Sequence, residues 1–243
     1  MKNKQRYNKT LPKVLRTACA ALIAAAAVIF VWDAFRPAET LTDGAECEFH
    51  FIDVGQGDCS MFFDKNSTVV VDAGTTESGE ATLEYIRRYT DTLDYLILTH
   101  PHEDHIGGLP YLLKDLDVPV YGTRLTLGLV EGKLKEAGLY GKRRLNVVKA
   151  GDVVKLGCMS VEFINVNHSI PDACAMAIHT PAGVIVQTGD FKIDFTPIEG
   201  SVINLARFGE LGRKGVLALL SESTNAERPG STPSERNVGE SFI

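Results

Sequence analysis

Residues 97–108 read I-L-T-H-P-H-E-D-H-I-G-G and hold five side chains that can carry charge or bind a metal: His100, His102, Glu103, Asp104 and His105. They follow Tyr95-Leu96-Ile97-Leu98, an apolar run that reads as a buried strand. The pattern H-x-H-x-D-H lacks the helical spacing of H-E-x-x-H. His100 and His102 alternate as on an extended segment, and Asp104 and His105 fall in the turn that follows. Gly107 and Gly108 allow a tight bend, with a helix expected close by. Three His and an Asp within six residues are costly against a core unless cations compensate them. Imidazole suits zinc, and carboxylate suits zinc or manganese.

One loop does not complete two coordination spheres, so further ligands are expected at other strand ends. His168 follows the apolar run Val161–Val166 in V-N-H-S-I-P-D, and Asp190 follows Val184-Ile185-Val186 in Q-T-G-D-F. A lone His is usually a satisfied structural group, and a lone Gly-Asp is usually a turn; both gain weight from the cluster at 100–105. A carboxylate between two metals can bridge them. Two cations about 4 Å apart activate water and clamp a phosphate or carbonyl oxygen. Asp72, in V-V-V-D-A-G, either orients a ligand His from behind or simply opens a turn. His50 and His179 lie inside strand runs and read as structural.

The rest of the chain sets the context. Its 243 residues suit one good-sized domain with appendages, at 44% hydrophobic and 23% charged. The net charge of −6 divides unevenly. Residues 1–40 hold seven Lys/Arg against Asp33 and Glu39, or +5, and the remainder holds 18 basic and 29 acidic residues, or −11. An acidic body argues against a broad non-specific grip on nucleic acid, although metal ions reverse the sign of a site locally. Five cysteines without a C-x-x-C pair form neither a disulfide framework nor a zinc ribbon.

Sixteen uncharged residues, Thr17 to Trp32, follow a basic start. They fit an uncleaved signal anchor over residues 14–35, with Trp32 and Phe35 at the interface and the body outside the cytoplasm. The alternative is a buried Ala-rich helix. After a linker at 36–45, strands are expected at Glu48–Asp53, Ser60–Phe63, Thr68–Asp72, Asp94–Leu98, Val118–Tyr121, Ser160–Val166, Ala175–Thr180, Gly183–Gln187 and Gly215–Leu220. Helices are expected at Ser78–Tyr89, Leu109–Leu116, Leu125–Ala137 and Ile203–Leu211.

H-P-H-E-D-H with His168 and Asp190 resembles the metallo-β-lactamase superfamily of dinuclear metallohydrolases. The resemblance implies an α/β fold, an αββα sandwich, over residues 41–243. From His102 onward the chain is similar to ribonuclease J, in H-E-D-H-I-G-G-L-P-Y-L-L, V-P-V-Y-G-T-R-L-T-L-G-L, T-G-D-F-K-I-D-F-T-P and L-A-L-L-S-E-S-T-N-A-E-R-P-G-S-T-P-S-E-R. The first hundred residues, with F-I-D-V-G-Q-G-D-C, V-V-V-D-A-G and L-D-Y-L-I-L-T-H-P-H, resemble ComEC-type DNA-uptake proteins instead. The two likenesses meet at the shared motif, which suggests a chimeric chain joined near residues 99–110.

The resemblance assigns roles. His100, His102 and His168 hold one divalent ion and Asp104 and His105 a second, with Asp190 bridging; Asp104, His105 and Asp190 form the catalytic set. Two zinc ions are implied, manganese being the alternative, with RNA phosphodiesters as substrate. DNA or a small phosphoester would be the substrate of a ComEC-like anchored hydrolase, and an inactive metal-binding fragment is the third reading. By the ribonuclease J half alone the protein belongs in the cytoplasm. Asp58, in G-Q-G-D, shapes the loop beside the site without a catalytic role. The departures are also specific. No His follows Asp190, so a final second-site ligand is missing, and Glu222 stands where the family typically has Asp. The chain ends within what resembles the start of a β-CASP insertion, residues 222–243, so the fold is expected to be incomplete at the C-terminus with an exposed sheet edge.

Overall fold

A computed structural model describes residues 47–198 and 201–237. The first sheet contains β1 (Cys47–Phe51), β2 (Ser60–Asp64), β3 (Thr68–Val71), β4 (Tyr95–Ile97), β5 (Val120–Gly122) and β6 (Leu145–Val147), in that spatial order. β1 to β3 pair antiparallel, and β3 to β6 pair parallel. The parallel half needs crossovers, supplied in part by α1 (Gly79–Arg87), α2 (Glu103–Ile106), α3 (Leu109–Asp115) and α4 (Arg124–Glu136). The second sheet contains β7 (Val153–Leu156), β8 (Met159–Asn165), β9 (Cys174–Thr180), β10 (Gly183–Gln187) and β11 (Ala218–Leu220), ordered β11-β10-β9-β8-β7. It is covered by α5 (Leu205–Lys214).

Alternation along each strand sorts side chains into layers. On β3, Val69 and Val71 meet Val161, Phe163, Met176 and Ile178 of the second sheet, and Val70 turns to the other face. There it packs with Leu96, Leu98, Ile86, Leu112 and Val130 beneath the helices. Beyond the second sheet, Ile164, Ala175, Ala177 and Val186 pack with Leu211 and Phe208 of α5. The order is helices, sheet, sheet, helix, the αββα sandwich expected from the sequence.

β6 and β7 were not anticipated. Each is the outer strand of its sheet, and its residues are largely half-buried or exposed, so neither shows the apolar run of a central strand. The helix expected from Ile203 starts at Leu205 because the Asn204 side chain accepts from the Arg207 N–H at 3.1 Å and caps it, leaving Ile203 buried ahead of the helix. β11 is shorter than expected, preceded by Gly215 at φ 99°. It lies at the end of the second sheet's order, with Leu217 and Leu219 exposed. The anchor expected over residues 14–35 lies outside the described residues. Among the described residues, no helix is long and apolar enough to cross a membrane.

Candidate metal centre

The motif leaves the C-terminal end of β4 as foreseen. His102 is extended and is the N-cap of α2 (φ −70°, ψ 153°), and Glu103–Ile106 form one helical turn. Gly107 and Gly108 serve a purpose other than the expected one. Both have ordinary helical φ values (−59° and −74°), so conformational freedom is not needed. What is needed is space: a Cβ on Gly108 would run into the Ala73 carbonyl, and one on Gly107 into the Thr76 backbone nitrogen.

His100 Nε2 and His168 Nε2 each lie 3.1 Å from His102 Nδ1. One Nδ1 cannot donate well to both, so three nitrogens converging on one point are poorly explained as mutual hydrogen bonds. Three tetrahedral ligands at about 2.05 Å from a zinc ion would lie roughly 3.3 Å apart, which the observed spacing approaches. Asp190 completes the set, its Oδ2 lying 3.8 Å from His100 Nε2 and 3.6 Å from His168 Nε2. The donor atoms of His100, His102, His168 and Asp190 all lie within 4.8 Å of one another. Three imidazoles and a carboxylate fit a zinc-type ion.

A second cluster adjoins the first. Asp190 Oδ1 lies 3.5 Å from His105 Nε2, and Asp104 Oδ2 lies 3.9 Å from the same nitrogen. The two carboxylate oxygens of Asp190 therefore face different clusters. Two carboxylates and one imidazole fit a divalent cation, with fewer donors than the first set.

Buried groups behind the ligands fix their tautomers. Asp72 is fully buried at φ 58°. Its Oδ1 accepts from the Thr99 N–H at 2.9 Å, and its Oδ2 from the Thr99 hydroxyl at 2.6 Å and His105 Nδ1 at 2.8 Å. His105 thereby carries its proton on Nδ1 and turns Nε2 to the site. The Thr99 hydroxyl in turn accepts from His100 Nδ1 at 3.1 Å, freeing His100 Nε2. Asp72, directly after β3, thus accepts from His105 and Thr99, the contacts that an orienting acceptor would make.

With no ion bound, the electrostatics give the two imidazoles opposite charge states, His100 neutral and His105 an imidazolium whose Nε2 proton a cation would displace. Burial, with the charge of His105, pushes His100 down to about 2, so it stays neutral and keeps its lone pair. Burial opposes charge on His105, but Asp72 and Asp190 outweigh it and raise the imidazole to about 11. Burial opposes charge on Asp190 too, yet the hydrogen bond and charge of His105 bring it down to about 2.

Asp58 reaches the site more closely than the sequence suggested. Burial and the neighbouring Asp72 push it up to about 6. Its Oδ2 accepts from Gln187 Nε2 at 3.0 Å, and Gln187 Oε1 accepts from the Ser60 hydroxyl at 3.1 Å. Its backbone N–H donates to the Asp104 carbonyl at 3.2 Å, and a Cβ on Gly57 would lie 2.5 Å from that same oxygen. Asp58, Asp104, His105, Gln187, Asp190 and Glu222 share a cavity of about 360 Å³. Glu222 accepts from the Phe191 N–H at 2.7 Å and so braces the residue after Asp190. Gln187 carried no sequence signal, being one more residue of an apolar strand. Asp58 did carry one, a carboxylate just past a Gly-Gln-Gly turn. His50 bonds Tyr85 and Glu48 away from this site, and His179 faces Glu162, so both are structural as read.

Comparison with known proteins agrees with the architecture. The family profile of the Metallo-beta-lactamase superfamily matches residues 52–216. Among curated proteins, ribonuclease J of Synechocystis is 49% identical over 158 residues, covering 64% of this chain and 25% of the relative. Ribonuclease J of Helicobacter pylori is 41% identical over 186 residues, covering 72% and 27%. That second match is longer than residues 102–243, so the likeness extends upstream of the motif. The chain spans about a quarter of the length of these relatives. Among solved structures, MEM-A1, a subclass B3 metallo-beta-lactamase from a soil metagenome library, aligns with a TM-score of 0.54 at 16% identity, over 76% of this chain and 80% of that one. The structural likeness shows the shared sandwich fold, and the profile, matched across most of the chain, shows the family: the chain belongs to the metallo-beta-lactamase superfamily.

Proposed function

We propose that the protein is a metal-dependent hydrolase of phosphodiesters, acting on RNA in the manner its ribonuclease J relatives suggest. The observation that carries this reading is the placement of Asp190, one carboxylate oxygen toward the His100–His102–His168 cluster and the other toward His105. Such a carboxylate suits two adjacent cations, zinc with manganese as the alternative. When bound, they supply Lewis-acid activation of water and of the scissile phosphate.

This chain's own residues have definite tasks in that scheme. His100, His102 and His168 present three nitrogens to one ion. Asp104 and His105 hold the second, and Asp190 spans both. Asp72 accepts from His105 Nδ1 and so aims Nε2 at the site, where a bound cation would take the place of the Nε2 proton. Among the described residues lining the cavity there is no Lys or Arg, so side chains there offer no cation to a phosphate. Charge neutralisation then falls to the ions, and activity should depend on them entirely. The anchor over residues 14–35 and an extracytoplasmic body remain part of the proposal, whereas a join near residues 99–110 would have to accommodate a ribonuclease J likeness that continues upstream of it. They rest on the uncharged stretch and on the G-Q-G-D likeness.

The test is cleavage of end-labelled RNA and matched DNA by the purified full chain, with and without a chelator, beside His102→Ala. The expected result is RNA cleavage lost on chelation, restored by zinc or manganese, and absent in the variant. Cleavage of DNA but never RNA would move the assignment to a ComEC-like nuclease. A folded, metal-loaded chain inert on both would leave a metal-binding module.

A further inference from the structure

The described cysteines divide into two kinds. Cys59 and Cys174 are buried at 2% exposure, within the core. Cys47 is half-buried and Cys158 is exposed, and both border the same residue, Asp64. Cys47 opens β1 and stands directly across from Asp64 on β2. Directly opposed residues of an antiparallel pair place their side chains on one face, with Cβ atoms about 5 Å apart. Cys158 lies in the two-residue turn Gly157-Cys158 that joins β7 to β8, and its Sγ contacts Asp64 Oδ2.

That turn is held in place independently. Gly157 adopts φ 63°, and a Cβ there would strike the Ser67 hydroxyl, so the turn sits flush on the loop between β2 and β3. Asp64 is fixed as well, because its Oδ1 accepts from the Asn66 and Ser67 N–H groups at 2.7 Å. Two accessible thiols thus flank one immobile carboxylate, each on a different sheet.

We propose that Cys47 and Cys158 form an intramolecular disulfide that staples the first sheet to the second. This site is separate from the metal centre and does not rest on the proposed activity. The oxidant class is a small-molecule disulfide such as oxidised glutathione. Cys47 as thiolate attacks one glutathione sulfur, forming a mixed disulfide and releasing one glutathione thiolate. The Cys158 sulfur then attacks the sulfur of Cys47 and expels the second glutathione as thiolate, which takes up the Cys158 proton. Two protein thiols are oxidised and one glutathione disulfide is reduced to two thiols. Cys47 acts first because the carboxylate against Cys158 holds that thiol protonated, pushed up to about 11 by the Asp64 hydrogen bond.

A bond across so long a loop restricts the unfolded chain strongly, and for a protein of this size the melting temperature should rise by on the order of 10 °C. The experiment treats the full chain with oxidised glutathione and reads the intact mass, the linked peptides after digestion, and the melting temperature. Expected are the loss of two hydrogen masses, a Cys47–Cys158 linked peptide, and a higher melting temperature that reverses on reduction. Cys158→Ser should keep the lower value under oxidant. An unchanged mass, a persistent glutathione adduct, or linkage through any other pair would overturn the proposal.

Discussion

Asp72→Asn is the sharpest probe of how the site is tuned. The substitution is nearly isosteric, and Asn tolerates the positive φ at this position. In the native chain Oδ2 accepts from both the Thr99 hydroxyl and His105 Nδ1. In the variant the amide keeps its oxygen on the Thr99 N–H and presents an NH2 group where Oδ2 stood. Facing a donor, His105 must place its lone pair on Nδ1 and its proton on Nε2. That proton then points at Asp190 Oδ1, 3.5 Å away, where an ion would otherwise bind. Loss of such an orienting partner typically weakens metal affinity about 10- to 100-fold. The first cluster should be weakened less, since of its members only His100 is linked to Asp72, and that indirectly through the Thr99 hydroxyl. Breaking a buried charged pair should also lower global stability by about 3 kcal/mol. Metal titration followed by elemental analysis reads the two classes of site, and denaturant unfolding reads stability. Two equal, unweakened binding steps in a folded Asp72→Asn protein would refute the argument that the His105 tautomer controls the second centre.

Other perturbations follow from the same geometry. Gly108→Ala should lose about 1–3 kcal/mol in denaturant unfolding, because its new Cβ meets the Ala73 carbonyl on a backbone that also carries His105. His168→Ala should reduce occupancy of the first centre while leaving circular dichroism unchanged, as His168 is only half-buried. Arg207 binds Glu162 through two hydrogen bonds of 2.7 and 2.8 Å and holds that carboxylate below its usual range. A lowered carboxylate pKa adds stability above the unfolded value of about 4.3, and the contribution disappears as pH falls through the folded value. Arg207→Gln should therefore cost about 1 kcal/mol at pH 7 and flatten the decline in stability below about pH 4.5, measured by thermal melts across pH.

Central strands were readable because they are apolar on both faces: Val69-Val70-Val71 and Leu96-Ile97 admit no other environment. The ligand cluster was readable for the opposite reason, since H-P-H-E-D-H has no inexpensive place in a core. The outer strands β6 and β7 were hidden because a strand with one neighbour needs little apolar surface. Helical Gly107 and Gly108 looked like hinges, as sequence cannot distinguish a glycine needed for φ from one needed for clearance. Asp58 and Gln187 were underestimated for a related reason. Their roles depend on a bond between residues 129 positions apart, from one sheet to the other.

The candidate ligands come from opposite sheets: His100, His102, Asp104 and His105 follow β4 of the first, and His168 and Asp190 follow β8 and β10 of the second. Any ion held by both sets binds only when the sheets are docked, so free metal concentration becomes a variable in the folding equilibrium. At a free concentration one hundred times the dissociation constant, the folded state gains about 2.7 kcal/mol. In a metal-starved environment the sandwich loses that increment and opens more often to proteases. The supply of the bound metal would then set the lifetime of this protein.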